Sequence, residues 1–173
     1  HIKLFSSLNP YDFGIISYLH SQNDILAAGG EVKSFSVSIG LPFAEKKTEN
    51  FYLKYFMKGI QSQSNKDKSI RTSGHSYQTN EPGITINMNG EIVYQAAKNK
   101  AAEGDLIYLS KPLGTGYLIA SYFKNSNIIN IDDFKTLIYW LKKGNLQIVN
   151  IARKFGSKVM TDISGFGLAS HLS

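Results

Sequence analysis

The chain has 173 residues, 42% of them hydrophobic and 18% charged, with a formal net charge of +6 and no cysteine. This is the composition of a globular protein, long enough for one good core or for one domain and part of another. It excludes disulfides, thiolate metal sites and a cysteine nucleophile within these residues.

No apolar run reaches the length of a membrane span, and the start, "HIKLFSSLNP", lacks the layout of a signal peptide. A cytoplasmic setting with no membrane partner is the expectation. The positive charge is spread over lysines without an arginine-rich run. That points to a phosphate-bearing small ligand and away from nucleic acid.

In chain order, "NPYDFGIISYLHSQNDILAAGG" (9–30) predicts a helix. Asn9 and Pro10 suit its start, Ile15, Ile16 and Leu19 share a face, and Gly29-Gly30 stop it. In 33–41, Phe35, Val37, Ile39 and Leu41 alternate with Ser34, Ser36, Ser38 and Gly40, as in a half-buried strand. Residues 48–60 predict an amphipathic helix opened by Thr48, and 61–71 a polar loop feeding a short strand. Residues 73–83 read as a turn-rich loop, and 84–94 as a second half-buried strand.

"QAAKNKAAEG" (95–104) is the expected linker. It separates a first domain, 1–98, from a second, 104–173. The second begins with "DLIYLSK" (105–111), an apolar run suited to a buried strand. A turn at Pro112 opens a helix. Two helices follow, 131–144 and 145–156, each ended by glycine, and then a short strand, "SKVM" (157–160). The order predicts an α/β or α+β protein.

Few residues could carry chemistry. Asp162 stands in "MTDISGFGLASHLS", between a predicted strand end and a glycine-spaced helix start. It can cap that helix, or ligate magnesium while the amides hold a phosphate. Asp24, in "NDILAAGG", is an acid flanked by an apolar stretch on a helical face and needs a local partner or a metal. "SGHS" (73–76) is a surface turn or a phosphate cradle. "KPLGTG" (111–116) lacks the full phosphate-loop pattern, because its lysine precedes the glycines. The cluster Phe51, Tyr52, Tyr55 and Phe56 reads as core or an oligomer interface. His20 and His171 have no ligand spacing.

Taken together, "NPYDFG", "NDILAAGG", "GLP", "SGHS", "GDLIYLSKPLGTG" and "MTDISGFGLASHL" resemble, in this order, the motifs of the selenophosphate synthetases (selenide, water dikinases). These belong to the aminoimidazole ribonucleotide synthetase-like ATP-binding superfamily. The resemblance implies a two-domain fold whose first domain builds a β-barrel across a homodimer. It also implies ATP and magnesium as cofactors, with ATP, selenide and water giving selenophosphate, AMP and phosphate. Asp24 falls on a family aspartate that binds magnesium and nucleotide, and Asp162 on a magnesium aspartate. Gly74, His75 and Ser76 fall on a loop that contacts ATP, from the partner subunit.

The chain departs from the family's pattern in several places. The family's reactive cysteine or selenocysteine, a nearby lysine and further metal aspartates lie upstream of the matched region. At the position of one such aspartate this chain offers at best His1, and Leu8-Asn9 stand where the family commonly has two acids. The second domain is expected to be cut short, with no catalytic nucleophile in this chain and no activity of the chain alone. Two readings follow: part of a working synthetase, or a degenerate or fused non-catalytic module that binds nucleotide or dimerises.

Overall fold

The computed structural model describes residues 2–3, 8–125 and 129–172; His1 lies outside them. It is a mixed α/β structure. Strand β1 (Ile2–Lys3) is followed by helix α1 (Pro10–Ala27), strand β2 (Gly30–Pro42), helix α2 (Lys46–Asp67), strand β3 (Ile70–Thr79) and strand β4 (Gly83–Ile92). Helices α3 (Thr115–Lys124), α4 (Ile131–Leu141), α5 (Leu146–Lys154) and α6 (Gly167–Leu172) complete it.

The sheet order is β1-β4-β2-β3. Central β2 pairs antiparallel with β4 and parallel with β3, the crossover between β2 and β3 being α2. The predicted alternation of β2 decides its faces. Phe35, Val37, Ile39 and Leu41 are buried with Phe13, Ile16, Tyr18, Phe56 and Ile60 of the two helices. Ser36 and Ser38 turn to the other face, opposite Asn87 and Thr85 of β4.

Helices α1 and α2 meet at glycines. A Cβ on Gly14 would lie 2.2 Å from the Phe56 carbonyl oxygen, and one on Gly59 would lie 2.1 Å from that of Tyr11. Only residues without a side chain permit this backbone approach. Phe13 and Phe56 then pack with ring centroids 5.2 Å apart. Beside them, Tyr18 donates its hydroxyl hydrogen to Asp67 Oδ2 at 2.5 Å, and the hydroxyl lies 2.7 Å from Ser69 Oγ. Gln22 also donates to Asp67, at 2.9 Å. Burial, and then donation to this carboxylate, push the Tyr18 hydroxyl well above its ordinary pKa, so it stays protonated.

Four sequence-based expectations are corrected. Residues 61–67, read as a loop, continue α2. Ser62 and Ser64 bond back to carbonyls three residues earlier, and Lys68 ends the helix with φ 59°. The "SGHS" loop is the middle of strand β3, held by backbone pairing to β2 from Ser34 to Pro42. Residues 105–111 are not a strand, and "SKVM" is not one either; both are irregular. The linker is irregular apart from a single 3₁₀ turn at Lys98–Lys100.

Candidate functional site

The site forms where the end of α1 meets the segment before α6. Asn9 caps α1 in the ordinary way, its side chain accepting from the Tyr11 amide at 2.9 Å. The helix runs to Ala27, and Gly29 closes it with φ 80°, a conformation that favours glycine. A Cβ there would lie 1.9 Å from the Tyr94 carbonyl oxygen. Both the Val93 and Tyr94 amides donate to the Gly29 carbonyl, which locks the exit of β4 against the end of α1.

The second part of the site is delivered by that same exit. The Ala97 amide donates to the Lys158 carbonyl at 3.0 Å, and the Tyr94 hydroxyl donates to the Ser157 carbonyl. Residues 157–162 therefore run past the end of α1. A cleft of about 240 Å³ results, lined by Asp24, Ala27, Ala28, Ala96, Ala97, Met160, Thr161 and Asp162.

Asp24 and Asp162, 138 residues apart in the chain, share this cleft. Asp24 is held above the usual carboxylate range, first by desolvation, then by the charge of Asp162 and hydrogen bonding to it; His20 pulls the other way. Two acids in one cleft leave negative charge that neither relieves. The carbonyl end of α1 adds to it, because the last turn of α1 carries no basic side chain. The small alanine walls leave room beside the carboxylates. Among the described residues no group of three or more His, Cys, Asp or Glu gathers. The donor set is thus a pair of hard oxygen ligands, which suits magnesium that also takes oxygens from a phosphate. It does not suit a softer metal that needs nitrogen or sulfur.

The helix-cap reading of Asp162 fails on geometry. Helix α6 begins at Gly167, five residues downstream, beyond the reach of a cap. Gly74, His75 and Ser76 do not line the cleft. They lie in edge strand β3, where His75 pairs with Ser38 on the polar face of the sheet. The His75 and Tyr77 rings stack with centroids 6.4 Å apart. Sequence reasoning missed the alanine walls. The only signal for them was the pair of Ala-Ala steps in "LAAGG" and "QAAKN".

A helix-backed mixed sheet, with a two-carboxylate cleft where a second helical unit docks, defines an α/β scaffold. The chain belongs to the family described as AIR synthase related protein, N-terminal domain, whose match covers residues 1–92. It is similar to a selenide, water dikinase of Photobacterium profundum, 32% identical over 95% of this chain and 47% of the relative. It is also similar to one of Treponema denticola, 30% identical over 95% of this chain and 46% of the relative. The chain thus spans about half the length of these curated relatives. Among solved structures, "AaThiL complexed with AMPPCP and TMP" superposes with a TM-score of 0.76 at 22% identity, over 99% of this chain and 55% of that one. That likeness is one of fold.

Proposed function

We propose that this chain is the nucleotide- and magnesium-binding part of a selenophosphate synthetase. The observation that carries the reading is the convergence of Asp24 and Asp162 on one cleft from opposite ends of the chain. In support, the named relatives are selenide, water dikinases, and the ThiL structure of the same fold was determined with AMPPCP.

In this reading, Asp24 and Asp162 would hold magnesium, and Gly74, His75 and Ser76 would contact the nucleotide from the partner copy of a homodimer. Magnesium would offset the charge of the phosphates as two phosphoanhydride bonds break. The chain's own residues have three tasks. The two carboxylates would hold the cation at the cleft. The alanine walls admit the phosphate chain without competing polar groups. The end of α1 adds negative potential that retains the cation. The reaction consumes ATP, selenide and water and yields selenophosphate, AMP and phosphate. The first domain (1–98) would pair across the dimer through the polar sheet face and edge strand β3, completing a β-barrel, with 104–173 opening the second domain. The setting is cytoplasmic, and no helix among the described residues is long and apolar enough to cross a membrane.

Asp162→Asn in the full-length protein should abolish magnesium-dependent, selenide-stimulated AMP formation; unchanged turnover removes the assignment. This chain by itself should form no selenophosphate, since it has no cysteine to act on selenide. A second reading, a non-catalytic nucleotide-binding module, rests on Leu8-Asn9 standing where the family commonly has two acids. Titration calorimetry with ATP and magnesium, beside a selenide-dependent turnover assay of the full-length protein, separates the two.

A further inference from the structure

Three asparagines stand at helix N-caps, and they do not do the same work. Asn9 caps α1, and Asn130 caps α4 by accepting from the Asp132 and Asp133 amides at 3.0 and 2.8 Å. Asn145 stands at the N-cap of α5 but makes no side-chain capping bond. Asparagine is among the best capping residues, and a cap contributes about 1 kcal/mol. The half-buried Asn145 forgoes that contribution and turns its amide elsewhere. Its Nδ2 donates to Asn23 Oδ1 at 3.0 Å, and its Oδ1 accepts from Ser110 Oγ at 3.2 Å.

Asn23 immediately precedes Asp24. The relay Ser110–Asn145–Asn23 therefore ties the second unit to α1 at the residue beside the first carboxylate. Other links lie further along the same seam. Lys142 pairs with Asp12 at 2.7 Å and Arg153 with Glu31 at 3.4 Å. The two ion pairs join long, partly exposed side chains that tolerate several geometries. An amide held at both its oxygen and its nitrogen, as that of Asn145 is, tolerates far fewer.

We infer that Asn145 is a positioning residue. Through Asn23 it sets the register of the second unit on α1, and so the placement of Asp162 against Asp24. The inference rests on the metal reading above only for its consequence, not for the register itself.

The absence of cysteine allows two spin labels to be placed uniquely, on Lys47→Cys and Lys154→Cys, exposed positions on α2 and α5. Pulsed dipolar spectroscopy then reads the distance between the units, and Mn²⁺ titration followed by its own resonance reads the cleft. Asn145→Ala and Asn23→Ala should each broaden the distance distribution and weaken Mn²⁺ binding roughly fivefold to tenfold, an interaction loss of about 1 kcal/mol. The double variant should be no worse than either single one. Asn145→Ser, a good cap too short to span to Asn23, should not rescue. Asn23→Ala leaves the α5 cap position intact, so its effect reports the relay alone.

Rescue by Asn145→Ser would show an ordinary cap and overturn the proposal. So would an unchanged distance distribution in Asn145→Ala, or a broadened one with unchanged Mn²⁺ affinity. If the unsubstituted chain binds no Mn²⁺, the metal reading fails. The distance distributions then decide the positioning role by themselves.

Discussion

The two halves of the molecule hold together by different means. From α1 to β4, large side chains are fully enclosed: Phe13, Tyr18, Phe35 and Phe56 lie between two helices and a sheet. From residue 104 onward only Leu137 and Val149 are buried among the hydrophobic residues described, while Tyr108, Phe155 and Phe166 are more than four-fifths exposed. The first unit closes its own core. The second packs Ile119, Tyr122, Ile138 and Leu141 against that core and adds polar links to α1 and to the exit of β4. The cleft takes one carboxylate from each, so its geometry depends on the weaker half staying registered on the stronger.

The sharpest way to break this comparison is to separate α1 from α2. Gly59→Val forces branched carbons into the Tyr11 carbonyl, with no flexible side chain to yield. Overpacking of this kind costs about 3 kcal/mol or more. The whole chain should lose its cooperative unfolding transition in a urea titration followed by circular dichroism. A retained native midpoint would mean the helices are not locked at that crossing.

Next comes the polar knot beneath the sheet. Asp67→Ala leaves the Tyr18 hydroxyl, the Gln22 amide and the Ser69 amide without their shared acceptor. Buried donors left unpaired cost about 1–3 kcal/mol. Tyr18→Phe in the same background should restore part of that loss, because it removes a buried hydroxyl left with Ser69 Oγ as its one remaining partner among the described residues. In the second unit, Phe166→Ser should change stability by no more than about 0.5 kcal/mol, as expected for an exposed residue. A larger loss would show a core there that the burial pattern does not reveal.

The same contrast explains what was legible in the sequence. Strand β2 announced itself because one face is buried and the other polar, and α1 because Asn-Pro and Gly-Gly punctuate it. Strand β3 did not. Its residues are exposed or nearly so on both faces, so "RTSGHSYQT" carries no alternation, and only pairing with β2 makes it a strand. The end of α2 was hidden for a related reason. "QSQSNKD" is poor in helix formers, yet bonds such as Gln61 to Asn65 at 2.7 Å and Lys66 to Gln63 at 3.0 Å sustain it. The apolar run 105–109 misled in the opposite direction. Its pattern suits a buried strand, but among the described residues it pairs with none. Asp24 and Asp162 were legible one at a time as polar residues with two readings each. Their union depends on Tyr94, Ala97 and Ser157 bonds that no local pattern encodes.

The smallest effect tests that union. Asp24 binds its proton more tightly in the folded chain than in the unfolded one, where its value is near the ordinary 3.8. A raised carboxyl pKa works against folding once ionised. Stability is therefore greatest, on this account, below that ordinary value, and falls as pH rises through the window above it. Asp24 is exposed, so the loss should stay under about 1 kcal/mol. Urea midpoints measured between pH 4 and neutrality, without divalent cations, should decline less in Asp24→Asn than in the unsubstituted chain. Asp162→Asn should flatten the same curve, and the two together should add little, because each removes one member of a single repulsive pair. Millimolar Mg²⁺ should flatten the unsubstituted curve and leave both variants unmoved. Equal slopes in the unsubstituted chain and in all three variants would show that the two halves of the molecule do not bring their carboxylates close enough to act on each other.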